Sequence, residues 1–362
     1  MSSVAALDSV REYEKLPAEG ARERAWVARR ALGKRTVVLA HHYQTDEVMA
    51  FADYRGDSLE LSRVAAAQRD SEYIIFCGVD FMAESAAILA GAGQTVLMPA
   101  GNAPCPMASM VTVKGLAEAW DYLTGLWGTE SLVPLAYQNS SAAVKAFCGD
   151  HGGAVCTSSN AGPAIRWGLR DGRRILFVPD QYLATNSALA LGYPRERVAL
   201  WDREQQRLEA RGAVEDLVLV AWDGYCSVHR RFTVGDVDRV RTEYPGIRVI
   251  VHPECTSEVV AASDAAGSTA YIVREVEKAS PGAQFAIGTE WHLVNRLAED
   301  NTDKVVIPLR RSACATMART DIYNLCYVLE HLAAGQPTMV TTVDPAVVAG
   351  ARAALERMLE IG

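Results

Sequence analysis

The sequence has none of the features of a membrane-spanning, secreted or nucleic-acid-binding protein. No stretch approaches the roughly 18 apolar residues of a membrane span. The first residues, MSSVAALDSVREYEKL, carry early acids and no apolar core of a signal peptide. Aspartate and glutamate (44) outnumber lysine and arginine (36), and a formal charge of −8 argues against a nucleic-acid or membrane-surface partner. We therefore expect a cytoplasmic protein with neither partner.

Closely spaced cysteine pairs are also missing. None of the eight cysteines forms a CxxC motif, so neither a zinc ribbon nor a thioredoxin-like site is expected. A disulfide framework is not expected in a reducing compartment either. A buried, structural role is the ordinary one for cysteine. It suits the four cysteines that end or interrupt apolar runs: Cys77, Cys148, Cys156 and Cys326.

Short apolar runs alternate with alanine-rich helical segments along all 362 residues. This alternation is typical of parallel sheets covered by helices, and the length exceeds what one core usually supports. The amphipathic stretch up to about Leu32 predicts one or two surface helices. The predicted strands are Thr36–Ala40, Tyr73–Cys77, Thr95–Met98, Leu132–Ala136, Ala154–Cys156, Ile175–Val178, Leu217–Trp222, Val249–Val251, Phe285–Ile287 and Val305–Ile307.

An internal repeat groups these elements into three blocks. At offsets of 12 and 15 residues, His41 is followed by Asp53 and Gly56, and His252 by Asp264 and Gly267. Runs ending before HHYQ, YQNS and HPEC open the blocks, and a strand followed by a loop cysteine closes each one. We expect an α/β fold of three similar α/β/α units with short parallel sheets, in pseudo-threefold arrangement around a central active site. The expected boundaries are 1–108 with 318–362, 109–225 and 226–317.

The three loop cysteines, Cys105, Cys226 and Cys314, stand in turn-like surroundings. Three thiolates from distant loops suit a cubane iron–sulfur cluster with one open iron, or a structural zinc site. Plain core thiols in an α/β binding protein are the alternative that needs no metal.

Hydroxyl clusters and strand-end histidines supply the other candidates. GDS, TSSN and GST combine hydroxyls with small residues that let backbone N–H groups approach an anion, although Ser58 and Thr157 also suit helix N-caps. Histidine, tyrosine and carboxylate side chains at strand ends suit proton transfer at neutral pH. These side chains are His41, His42, Tyr43, Tyr137, Asn139, His229, His252 and Glu254.

Taken in order, AHHYQ…GDSLEL, FMAES, CPMA, YQNSSAAVKA, CTSSNA, DGYCSVH, VHPEC…GST, GTE and CATM resemble the quinolinate synthase (NadA) family from Val37 to Met317. The resemblance implies three α/β/α domains with pseudo-threefold symmetry and a [4Fe–4S] cluster bound by three cysteines. It also implies a transferase-type enzyme of NAD biosynthesis. Such an enzyme condenses iminoaspartate with dihydroxyacetone phosphate to quinolinate, losing phosphate and two waters, and an iminoaspartate-producing enzyme supplies one substrate transiently.

The resemblance assigns roles motif by motif. The implied cluster ligands are Cys105, Cys226 and Cys314. The implied catalytic residues are Glu254, His252, Tyr43, Tyr137 and His229. The implied substrate-binding residues are His41, Ser58, Tyr137, Asn139, Ser158, His252, Glu254, Ser268 and Thr269. An iron–sulfur hydro-lyase acting on a small hydroxy acid, without condensation, is the alternative enzymatic interpretation.

Overall fold

The protein is an α/β protein with three largely parallel sheets, described by a computed structural model over residues 10–361. The strands are β1 Thr36–His41, β2 Tyr54–Gly56, β3 Tyr73–Cys77, β4 Thr95–Leu97, β5 Leu132–Tyr137, β6 Ala154–Cys156, β7 Arg174–Val178, β8 Val198–Asp202, β9 Arg207–Glu209, β10 Leu219–Trp222, β11 Arg248–Val251, β12 Ala265–Ala266, β13 Gln284–Gly288 and β14 Val305–Pro308. Each of the ten predicted apolar runs overlaps a strand, although Met98 lies after β4 and Leu217 and Val218 lie before β10. The predicted α/β class is confirmed.

Helices alternate with these strands along the chain. No helix within residues 10–361 has the length and apolar character needed to cross a membrane. From Ala18 onward the helices are Ala18–Leu32, Asp46–Met49, Ser58–Ala67, Asp80–Leu89, Val113–Trp127, Ala142–Asp150, Ala161–Gly168, Gln181–Ala190, Val234–Glu243, Ser257–Ala262, Thr269–Lys278, Trp291–Asp300, Ile322–Ala333 and Pro345–Ile361.

The three sheets repeat one strand order. The first sheet is β2-β1-β3-β4 and the third is β12-β11-β13-β14. The middle sheet begins in the same way, β6-β5-β7-β10, and then continues with β8 and β9 at its far edge. All pairs are parallel except β8–β9, which is antiparallel. Consistent with helices on both faces, every residue of β1 is buried.

The aspartate of the sequence repeat has the same structural role in the first and third sheets. The Val38 N–H donates to Asp53 Oδ2 over 2.7 Å, and the Val249 N–H donates to Asp264 Oδ2 over the same distance. Each carboxylate therefore fixes the crossover that returns the chain beside the first strand of its sheet. The offset of 12 residues reflects this local geometry.

The loop of each predicted cluster cysteine is held by an equivalent backbone hydrogen bond. In each case an N–H at the start of the helix after the third strand donates to the carbonyl two residues before the cysteine. The pairs are Asp80 to Ala103 (3.2 Å), Gln181 to Gly224 (3.0 Å) and Trp291 to Ser312 (2.8 Å). Cys105, Cys226 and Cys314 thus occupy equivalent positions in the repeat.

The chain forms two compact units. One contains the residues up to Cys105 together with Cys314–Asp344, and the other contains Pro106–Ala313 and the residues from Pro345 onward. The C-terminal helix Pro345–Ile361 packs in the second unit, against Ala142–Asp150. The three-unit division expected from the sequence, which grouped 318–362 with the first sheet, stays a prediction.

Candidate functional site

A buried pair, His229 and Glu254, lies in the segments that follow β10 and β11. The His229 Nδ1 atom lies 2.5 Å from Glu254 Oε2, and both side chains are at most 3% exposed. The other ring nitrogen, Nε2, lies 3.1 Å from the hydroxyl of the fully buried Thr289. Because both ring nitrogens have partners, the orientation of the imidazole is fixed with one edge toward the carboxylate.

His252 completes this cluster. Its ring stacks on that of His229, with centroids 4.3 Å apart and planes 16° from parallel. The Glu254 backbone N–H donates to His252 Nδ1 over 3.3 Å. Burial, reinforced by neighbouring His229 and only partly offset by Glu254, lowers the pKa of His252 to about 3. His252 is therefore a neutral hydrogen-bonding group at physiological pH.

Glu254 is the anion of the cluster. Burial alone would raise its pKa, but the two imidazoles and the hydrogen bonds from His229 and Tyr137 outweigh burial and lower it to about 2. Tyr137 is itself buried at the end of β5. The structure therefore brings together four of the predicted site residues, His229, His252, Glu254 and Tyr137.

Asn139 and Ser158 lie beyond the carboxyl ends of β5 and β6 in the same unit. Asn139 Oδ1 is buried and has no hydrogen-bond partner, an arrangement that points to a bound polar group. Ser158 is half-buried, whereas the neighbouring Ser159 is exposed.

The predicted hydroxyl clusters lie at or just before helix starts. Ser58 is the first residue of its helix, but the N-cap is Asp57, which forms a capping box. Ser268 is an N-cap, with Oγ accepting from the Tyr271 N–H, and Thr269 is the first helical residue after it. Thr157 is not a cap, because Asn160 occupies that position. Backbone N–H groups at such helix starts are suited to anions.

The predicted residues of the first unit lie around the end of β1. The rings of His41 and Tyr43 meet edge to face at 4.6 Å. The buried Gln44 side chain donates to the Met317 carbonyl over 3.1 Å and so holds the loop that follows Cys314. This arrangement places the Cys314 loop next to the carboxyl end of β1.

The other cysteine loop of this unit reaches the same segment. Arg319 donates to the Asn102 carbonyl over 2.5 Å, which links the loop preceding Cys105 to the residues that follow Cys314. The Cys105 N–H also donates to Asp80 Oδ1 over 3.4 Å.

The eight thiols fall into two groups. Five are buried, and burial raises the pKa of these thiols, to about 12 for Cys77 and Cys326. A buried neutral thiol is a poor metal ligand because the thiolate is the ligating form. The three predicted ligands, by contrast, are half-buried. This exposure suits thiolate ligands better than that of the five buried thiols, and the role of the three as cluster ligands stays a prediction.

Cys226 also lies beside the catalytic candidates. Ligand atoms of Cys226, His229 and Glu254 all lie within 4.8 Å of one another, a grouping that could hold a metal ion.

Comparison with known proteins identifies the family of this chain. The family model described as quinolinate synthetase A protein (NadA) matches residues 26–360. The chain belongs to the quinolinate synthase family. Proteins named quinolinate synthase from Bacillus cereus strain G9842 and strain B4264 are 45% and 44% identical to it over 350 residues. One from Bacillus anthracis strain A0248 is 43% identical. In each case the match covers 96% of this chain and 95% of the relative.

Three buried residues near this candidate site were not among the predicted site residues: Thr289, Asp180 and Asn186. Thr289 and Asp180 follow the third strands of their sheets, β13 and β7, just as the predicted residues follow the first strands. A search for polar residues after every apolar run would have found these two. Asn186 lies within a helix, where no sequence signal marks it.

Proposed function

We propose that this member of the quinolinate synthase family catalyses the family reaction in NAD biosynthesis. Iminoaspartate and dihydroxyacetone phosphate condense to quinolinate, with loss of phosphate and two waters. The observation that carries the proposal is the buried group of His229, His252, Glu254 and Tyr137 beside the thiol of Cys226, in a chain that is 45% identical to a protein named quinolinate synthase. The proposal places the protein in the cytoplasm, where an iminoaspartate-producing enzyme would supply one substrate.

We assign Cys105, Cys226 and Cys314 as the ligands of a [4Fe–4S] cluster. Their half-buried thiols and their equivalent loop anchors support the assignment. When bound, such a cluster supplies an open iron that acts as a Lewis acid toward a substrate hydroxyl or carboxylate.

Glu254 is the proposed proton-transfer group. Its lowered pKa keeps it ionised, and Nδ1 of His229 holds Oε2 in place over 2.5 Å. His252 stays neutral and, with Tyr137, orients the substrate by hydrogen bonding. A fixed carboxylate in a buried site loses little energy to solvent reorganisation when it accepts a proton. Tyr43 and His41 serve the same positioning role at the end of β1.

The hydroxyl clusters are the proposed anion sites. Ser58, Ser268 and Thr269 lie at helix starts, where the side-chain hydroxyls and the positive end of the helix dipole favour a phosphate or a carboxylate. The Ser158 hydroxyl and the Asn139 side-chain NH2 group supply further hydrogen-bond donors for substrate carboxylates. These groups hold the phosphate of dihydroxyacetone phosphate until it leaves.

Anaerobic purification followed by iron and sulfide analysis tests the cofactor, and a condensation assay tests the reaction. We expect brown protein with about four irons and four sulfides per chain, and a pyridine dicarboxylate as the product. Replacing Cys105, Cys226 or Cys314 by alanine should remove both cluster and activity, whereas Cys148→Ala, at a buried thiol, should keep both. Iron-loaded protein that dehydrates a hydroxy acid but makes no pyridine would favour the hydro-lyase, and colourless, iron-free protein would refute the cluster.

A further inference from the structure

The helix Gln181–Ala190 connects two loops of the candidate site. At its start, the Gln181 N–H donates to the Gly224 carbonyl over 3.0 Å, and the Gln181 side-chain amide donates to Asp223 Oδ1 over 2.6 Å. These two acceptors lie two and three residues before Cys226. The amino end of the helix therefore holds the loop of a proposed cluster ligand.

Further along, the same helix holds the loop of Glu254. The side-chain amide of Asn186 donates to the carbonyl of Pro253 over 2.8 Å and to that of Cys255 over 2.9 Å. These residues lie immediately before and after Glu254. Both acceptors are carbonyl oxygens, so the atom facing them must be the NH2 group, which settles the orientation of the amide.

The Asn186 amide makes these two hydrogen bonds in a buried environment. The side chain is 5% exposed, and its Oδ1 atom is buried without a hydrogen-bond partner. A buried amide oxygen left unpaired is unfavourable, and such orphans are uncommon in folded proteins. The amide thus keeps both donors on the 253–255 segment despite the unpaired oxygen.

We propose that Asn186 is a positioning residue for Glu254, and that the helix Gln181–Ala190 sets the spacing between the Glu254 loop and the Cys226 loop. Asn186 lies five residues beyond Gln181, which is about 7.5 Å along a helix axis. Fixing the carbonyls on both sides of Glu254 restricts its backbone, and hence the direction of its carboxylate. The inference rests on the proposed function for its consequence in catalysis, but not for its geometry.

The geometry explains why such support matters. The 2.5 Å separation between His229 Nδ1 and Glu254 Oε2 tolerates little movement of either residue. Misplacing a catalytic group by about 1 Å can lower a rate by about 10²-fold. A residue that holds the backbone on both sides of the carboxylate can therefore control turnover without touching substrate.

The test compares Asn186→Leu and Asn186→Asp with the control Thr185→Val. Thr185 is the neighbouring residue, equally buried, and outside both loops. We expect Asn186→Leu to lower kcat by about 10²-fold with a smaller change in KM and with iron content unchanged. In Asn186→Asp, the side chain can donate a hydrogen bond only when its carboxyl group is protonated, and then to only one of the two carbonyls. Its activity relative to the native protein should therefore rise toward acid pH, a trend absent in Asn186→Leu and Thr185→Val.

A second measurement does not depend on activity. A short Nδ1–H···O bond gives a low-field proton resonance, and we expect the resonance of the His229–Glu254 bond to shift or disappear in both Asn186 variants but to persist in Thr185→Val. A native resonance and native kcat in folded Asn186→Leu protein would overturn the proposal. If native protein makes no quinolinate while the resonance still responds to Asn186, the proposed function fails and the positioning role stands.

Discussion

Glu254 is the residue on which the proposed chemistry depends most. Replacement by glutamine keeps the shape and an acceptor for His229 but removes the charge and the ability to take a proton. We expect Glu254→Gln to lower kcat by about 10²- to 10⁴-fold, the usual contribution of a general base. Iron content should not change. Glu258→Gln, at an exposed carboxylate four residues along, is the control, and an active Glu254→Gln enzyme would exclude Glu254 as the proton-transfer group.

His252 makes the folded state sensitive to acid. Its pKa is lowered to about 3, so between its ordinary value near 6.5 and about 3 the unfolded chain binds a proton that the folded chain does not. As the pH decreases across this window, the free energy of unfolding should therefore fall by about 1.4 kcal/mol per pH unit. Glu254, with its pKa lowered to about 2, adds a loss in the same direction below about pH 4.5.

Urea unfolding at a series of pH values measures this effect. In His252→Asn, which does not titrate, the free energy of unfolding should fall less steeply with decreasing pH than in the native protein. An unchanged slope in His252→Asn would show that His252 is not the group responsible.

At the level of single residues, the sequence indicated those that follow the first strand of each block. Tyr137, His252 and Glu254 could be predicted because strand ends collect polar side chains and because their motifs resemble a family. Asn186 could not, because its role depends on the approach of a segment 67 to 69 residues away. Local spacing contains no information about which helix will lie beside that segment.

Among the secondary-structure elements, the helix Thr269–Lys278 is preceded by a tightly packed glycine, Gly267. A Cβ added at Gly267 would overlap the ring of Tyr271 on the helix Thr269–Lys278. We expect Gly267→Ala to destabilise the protein by about 1–3 kcal/mol, the range for overpacking. Because Ser268 and Thr269 follow directly, substrate affinity should also weaken.

Gly20→Ala is the matched control for that substitution. Gly20 lies in the helix Ala18–Leu32, and a Cβ there would have no neighbour within 4 Å. Alanine should therefore stabilise this helix by about 0.5–1 kcal/mol. The midpoints of unfolding in urea, compared at an unchanged m-value, would measure both effects. Equal midpoints for the two variants would contradict the packing argument.

The elements that the sequence could predict are those with buried, apolar strands. β1 and β3 were found almost residue for residue because both faces of these strands are covered and their sequences are continuously apolar. The missed strands are β2, β8, β9 and β12. Three of them have only two or three residues. β2 and β9 are mostly exposed, and a short, polar strand has the composition of a loop.

At the scale of the whole molecule, the C-terminal helix Pro345–Ile361 packs closely on Ala142–Asp150. A Cβ at Gly350 would meet the Asp150 side chain and the Ala146 carbonyl. We expect Gly350→Val to separate the helices and to lower stability by several kcal/mol. Gly125→Ala, where a Cβ has open space, is the control.

Gly350→Val should also disturb the proposed anion site. Asn160, the N-cap of Ala161–Gly168, donates to the Met358 carbonyl over 3.2 Å. The C-terminal helix, which contains Met358, therefore supports the TSSN loop that contains Ser158. Hydrogen exchange should therefore become faster at residues 157–160 in Gly350→Val. If exchange at residues 157–160 is unchanged, the C-terminal helix does not stabilise the TSSN loop. Asn160 and Met358 are 198 positions apart in the chain. The sequence therefore did not predict this contact.

The antiparallel strand β9 has a consequence for the behaviour of the protein in a crowded solution. An unpaired strand edge is a template for aggregation, and charged or short edge strands reduce that hazard. β9 closes the far edge of the middle sheet with three residues, and its Arg207 and Glu209 pair with each other over 2.6 Å on the outer surface. The first sheet has a similar cover, since Val340 forms an antiparallel bridge with Leu97 of β4. Both additions make these edges poor sites for intermolecular strand pairing.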